Sequence, residues 1–259
     1  MYLFLSDETN TTQSEVVEFL IFGAIIVPID KASEIASEIV RIRQAAGYPP
    51  EAEFKFDTHS RPSCVTKAKF DYAKSLVLDL ARNLGIRFMA YVVHHEIASR
   101  KEPSKRPLFA LNTLLCQFDL FLSRERTSGF CAVDRFEIAH SLLSSILVEG
   151  VNPSGELGKF QRKLSNIWMY SITTITCSHL CSVCDIVLGA FRYCVNATRT
   201  SDVTNMLYSK VRPLFLCQPD NPQVIEDWGL FFRPRTVRSS RYAEAYQGLR
   251  SRLTRLEQC

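Results

Sequence analysis

The tightest constraint on how this chain can fold lies in its first 27 residues. Tyr2-Leu3-Phe4-Leu5 is apolar at successive positions, so a strand built from it is buried on both faces and belongs inside a sheet. A polar turn, Thr9 to Ser14, leads to a second apolar run, Glu18 to Val27, which Pro28 ends. Two strands joined by so short a turn pair antiparallel. Beyond the hairpin the pattern alternates. Ile29 to Ala46 carries apolar residues at 32, 35, 36, 39, 42 and 46, a helical period stopped by Gly47. Further helices are predicted at about 64–84, 107–123, 136–148, 178–196 and 202–215, with a basic helix beginning near Arg241. Strands are predicted over 86–93, 129–134 and 167–172, and Asn152 to Ser165 reads as a polar loop. A hairpin followed by alternating strands and helices predicts an α/β domain, a mixed sheet with helices on both faces. No stretch rich in Pro, Gly or Ser divides the 259 residues, so 1–200 is expected to form the domain and 201–259 a helical, Arg-rich extension packed on it.

Composition narrows the setting. The nine cysteines are odd in number, lie mostly in apolar segments and follow no signal peptide, which predicts buried reduced thiols in a cytoplasmic protein. Leu164 to Cys184 is 21 residues without a charged side chain, the length of a membrane span, yet nine of them are Ser, Thr, Asn or His. That is too polar for lipid, and the segment is expected to be buried in protein. The net charge of +4 is carried by the C-terminal end, where Trp228 to Cys259 holds seven arginines against Glu244 and Glu257. Such an end either attracts a polyanion or forms a solvated face.

Carboxylates stand where burial makes them costly. Asp7 and Glu8 end the first strand, and Asp134 ends Phe130-Cys131-Ala132-Val133 in the same way. Asp185 lies in an apolar helix, on the side that also carries Cys181, Leu188 and Gly189. An unpaired carboxylate at such positions costs several kcal/mol or takes up a proton. One such acid is usually a satisfied structural group. Three suggest a site where Mg2+ or Mn2+ is held by oxygen ligands drawn from distant segments, as in two-metal phosphoryl-transfer chemistry.

Other constellations carry less. Cys177, Cys181 and Cys184 have an iron–sulfur-like spacing, but if the helix starts at Cys177 the outer two lie about 10 Å apart along its axis, and all three read as small core residues. His94-His95 ends a strand with side chains on opposite faces and reads as a polar strand end. Nucleophile elbow and phosphate-binding loop motifs are both lacking.

The order strand-Asp7-Glu8, Gly23 in a second apolar strand, Glu53-Phe54-Lys55, strand-Val133-Asp134-Arg135, then Cys181-Ser182-Val183-Cys184-Asp185 followed by Gly189-Ala190 resembles the prokaryotic domain of unknown function numbered 3800. The usual D-E-S-G start is Asp7-Glu8-Thr9-Asn10 here, and Asn10 can keep a left-handed turn. The resemblance spans Tyr2 to about Tyr193. It implies a ribonuclease-H-like fold and a metal-dependent nuclease, with Asp7, Glu53, Asp134 and Asp185 as ligands of Mg2+ or Mn2+. It also implies Lys55 near the scissile phosphate. Glu8, facing the other way from Asp7, would have a supporting or turn role, and His59 is of interest for its neighbours Glu53 and Lys55. Charge alone nominates Arg233, Arg235 and Arg238 as contacts to a nucleic-acid backbone. The expected function is phosphodiester hydrolysis in RNA, DNA or a hybrid; the alternative is a catalytically silent module of the same fold that binds nucleic acid or protein.

Overall fold

The computed structural model describes residues 1–11, 14, 17–99, 106–136, 139–152, 161–197, 199 and 201–257. The opening hairpin is present: β1 (Tyr2–Thr9) and β2 (Phe19–Pro28) pair antiparallel with Asp7 opposite Gly23. Asn10, in the connection, has φ 57°, the left-handed geometry that Asn tolerates. Its side chain exchanges hydrogen bonds of 2.9 and 3.0 Å with Asn196, tying the turn to a late helix.

Helix α1 (Ala32–Ala46) follows β2 and ends at Gly47, whose φ of 87° is the left-handed cap that a glycine supplies without strain. Then come α2 (Lys67–Asn83), β3 (Arg87–His94), a short α3 (His95–Ala98), α4 (Arg106–Arg124), β4 (Gly129–Asp134) and α5 (Ala139–Glu149). The chain continues through β5 (Ile167–Thr173), α6 (His179–Asn196), α7 (Asp202–Val211), β6 (Leu230–Arg233) and α8 (Ser240–Glu257). The six strands form one mixed sheet ordered β5-β4-β1-β2-β3-β6, in which β2 runs against its neighbours on both sides. The near-continuous apolar run of β1 is thereby explained, since that strand lies between β4 and β2.

Side-chain alternation splits the core into two layers. Leu5, Ile21, Ile25, Phe88 and Val92 face α1, α2, α6, α7 and α8, whereas Phe4, Leu20, Phe22, Met89 and Tyr91 face α4 and α5. The segment 164–184 contributes β5 and the start of α6, and among the described residues no helix is long and apolar enough to cross a membrane. That segment is not buried throughout as expected: β5 is an edge strand, and Trp168, Met169 and Ile172 are exposed, while the α6 part is buried.

The part after residue 200 is more than a helical extension. Leu230–Arg233 adds a sixth strand, parallel to β3. Tyr246 of α8, fully buried, accepts a 2.7 Å bond from the His94 N–H and donates one of 2.6 Å to the Arg233 carbonyl, joining β3 to β6. Four residues between Gly229 and Pro234 are too few to show a period, which is why β6 is not apparent from sequence.

Candidate active site

The parallel pairing of β1 with β4 last joins Ser6 to Val133, so the next residues, Asp7 and Asp134, follow the final pair of adjacent strands, which lie about 4.8 Å apart, on the same face of the sheet. Helix α6 crosses that face. The Cys184 thiol donates to the Leu5 carbonyl at 3.4 Å, which puts Asp185 over the end of β1. Two glycines allow this approach. A Cβ at Gly23, opposite Asp7, would come within 2.5 Å of Leu188 Cδ1, and one at Gly189 would overlap the Phe56 side chain. With Phe56 drawn in against Gly189, its N–H donates to Asp185 Oδ2 at 2.6 Å. Segments separated by more than a hundred residues thus meet at one point.

The electrostatics there are unfavourable. Burial, then the charge of Asp185, then that of Asp134, push the Asp7 carboxyl up to about 7, and only the Glu8 N–H, at 2.7 Å, opposes them. Burial also raises Asp134, although the Arg135 N–H and Lys55 pull the other way. Burial raises Asp185 too, against the Phe56 N–H, Lys55 and Arg192. Among the described residues none of the three carboxylates forms an ion pair. Asp119 of α4 shows the contrast. It is 1% exposed, and it accepts from Arg162 Nη2 at 2.8 Å and from the Asn166 N–H and Nδ2 at 3.0 Å each. Asp119 is a satisfied structural acid, and the cluster at Asp7 is of another kind.

The other predicted residues fall in several places. Lys55 Nζ lies 2.6 Å from Glu53, and that hydrogen bond, ahead of the fields of Asp185 and Asp7, raises its pKa. Glu53 is thus turned to Lys55, and Lys55 is the cation that reaches the cluster. Glu8 alternates to the other face of β1 yet lines one small cleft together with Asp7, Asp134, Phe22 and Leu111, and burial, then Asp134, raise its pKa. His59 is exposed in a turn where its N–H bonds Asp57 Oδ1 at 2.8 Å. Arg233 and Arg235 are at the β6 edge, each 3.0 Å from Asp227, and Arg238 is exposed. Much of the C-terminal positive charge is paired in this way, with Arg241 to Glu96 and Arg250 to Glu226.

Two expectations need correction. Cys177 lies outside the helix and is exposed, because α6 starts only at His179 behind the capping Ser178; Cys181 and Cys184 are core residues as predicted. His94 and His95 are buried rather than a polar strand end, His94 between Phe19 and Tyr242.

Arg192 was missed by the sequence reading. It lies seven residues after Asp185, two turns along the same face, and its Nη1 donates to Thr9 Oγ1 at 3.1 Å where β1 ends. That spacing was the available signal.

The donor set suits a hard divalent cation, since Asp7, Asp134 and Asp185 offer only carboxylate oxygens and have no ion-pair partner among the described residues. As the side chains stand, however, no three His, Cys, Asp or Glu groups among the described residues are arranged to hold a metal ion. Comparison of the chain with protein-family models and with curated proteins finds no match to either.

Proposed function

We propose that this protein is a metal-dependent phosphodiesterase acting on nucleic acid, built on a ribonuclease-H-like sheet. One observation carries the reading: three carboxylates from distant segments converge on one face at the ends of central strands without an ion-pair partner. Delivery of Asp7 and Asp134 by β1 and β4, with Asp185 from a late helix, supports the finer architecture too.

Asp7, Asp134 and Asp185 would hold Mg2+ or Mn2+, which when bound supplies Lewis acidity to a phosphoryl group and lowers the pKa of water. The chain's own groups do the positioning. The Phe56 N–H fixes the Asp185 carboxylate, and Gly189 fixes Phe56. Lys55, kept protonated by Glu53, places positive charge beside the carboxylates, where a phosphodiester oxygen would be drawn. Arg192 adds a second cation by the end of β1.

Incubation of the purified protein with Mg2+ or Mn2+ and labelled RNA, DNA and hybrid substrates tests the reading. Cleavage should occur and should be lost in Asp7→Asn and Asp134→Asn; variants that cleave as well as the parent would refute it. A second reading, a silent binding module, is favoured by the lack of three donors in ligating arrangement among the described residues. Its signature is salt-sensitive binding without cleavage in either metal.

A further inference from the structure

The other face of the sheet holds a cavity of about 590 Å3, between α4 and the β3–β6 edge. A small-molecule site typically occupies about 300–1,000 Å3 and is largely apolar with a few convergent polar groups. Tyr91, Phe109 and Phe231 supply the apolar walls here. The polar groups come from one stripe of α4, since Arg106, Phe109, Asn112, Thr113, Cys116 and Gln117 recur at helical spacing.

Asn112 and Gln117 are the unusual members. Each is only 8% exposed, both line the cavity, and among the described residues neither side-chain amide finds a hydrogen-bond partner. Neither amide is sealed from solvent, so both are open to a group that enters the cavity. An amide presents a donor and an acceptor side by side, which matches the edge of a nucleobase. Charge fixes the rest of the ligand. Three guanidinium groups, Arg106, Arg233 and Arg235, line the cavity against one carboxylate, Asp227, which Arg233 and Arg235 share at 3.0 Å. Arg106 Nε is buried and has no hydrogen-bond partner among the described residues. The surplus is two positive charges beside an apolar, amide-bearing chamber.

We propose that this cavity binds a nucleoside 5′-monophosphate, with its base between the aromatic walls and against Asn112 and Gln117, and its phosphate towards Arg106. The site lies across the sheet from Asp7, Asp134 and Asp185 and does not depend on the reaction assigned to them.

Titration calorimetry of the full chain, in chelator, with AMP, GMP, CMP and UMP, the free nucleosides and inorganic phosphate tests it. At least one monophosphate should bind ~10-fold or more tightly than its nucleoside and than phosphate. Asn112→Leu and Gln117→Leu should each weaken that binding by ~10-fold or more without loss of Tm, because each removes an amide that lines the cavity and keeps the side chain's bulk. Arg106→Gln should remove the preference for the monophosphate over the nucleoside. No binding by any monophosphate, equal binding of bare phosphate, or leucine variants that lose stability and keep full affinity would each overturn the proposal.

Discussion

Asp7→Asn should make this protein more stable at neutral pH, although it removes a residue from the candidate active site. Its folded carboxyl sits at about 7 against an ordinary 3.8, a difference of about three units. At 1.36 kcal/mol per unit that is an upper limit of about 4 kcal/mol. The folded state binds the proton more tightly than the unfolded state, so the group favours folding most below pH 3.8, and stability falls as pH rises from there to about 7. Above 7 the destabilisation is constant. Asparagine keeps the acceptor for the Glu8 N–H and carries no charge. Asp134 and Asp185 respond when the charge at 7 is lost, so the gain reports on the cluster as a unit. After allowing for screening of a half-buried group, it should be about 1–3 kcal/mol at pH 8 and near zero at pH 4. Urea denaturation of both proteins in chelator, from pH 4 to pH 8, measures the difference directly. A variant equally or less stable than the parent across that range would sink the claim that like charges are forced together here.

Divalent ions should act in the opposite sense: millimolar Mn2+ or Mg2+ should raise the Tm of the parent and leave Asp134→Asn and Asp185→Asn much less affected, as a thermal melt with and without metal will show. Gly189→Ala should cost about 1–3 kcal/mol, because its methyl overlaps Phe56, and should cut cleavage by displacing the N–H that holds Asp185. Tyr246→Phe should cost about 1–3 kcal/mol by leaving the His94 N–H and the Arg233 carbonyl unsatisfied, read by urea denaturation. Asp119→Ala should cost about 1–3 kcal/mol, since it leaves the Asn166 N–H and side-chain amide without their acceptor while the partly exposed Arg162 can turn to water, yet leave metal-dependent cleavage per folded molecule unchanged.

The hairpin, the strand ending in Asp134 and the helix bearing Asp185 were legible because their signals are local: apolar runs of strand length and a period of 3.6. Adjacency of Asp7 to Asp134 was not, since it depends on the register of β1 against β4, which involves residues more than a hundred positions apart. The helical period alone would have located Arg192. The partners of Arg233 and Arg235 were hidden for a different reason. A run of arginines shows its total charge, but not that Asp227, just before a four-residue strand, has claimed two of them. Asn112 and Gln117 were overlooked because α4 is so apolar that its polar positions read as interruptions of a core face.

The chain solves the problem of a buried acid at Asp119 and leaves it unsolved at Asp7. Around Asp119 it supplies an arginine, a side-chain amide and a backbone N–H. Around Asp7 it places two further acids and removes side chains at Gly23 and Gly189 so that α6 and Phe56 can bring Asp185 closer. Asparagine at any of the three positions would relieve the repulsion without altering packing. The two large apolar layers can bear a penalty of a few kcal/mol, so the arrangement is tolerable, but nothing in the folding of the sheet requires it. Such a local conflict within an otherwise consistent fold is the mark of a site shaped by chemistry, and for clustered carboxylates the resolving species is cationic. Lys55 is within reach but bound to Glu53, and Arg192 bonds Thr9, so on the proposed reading a diffusible cation would complete the site.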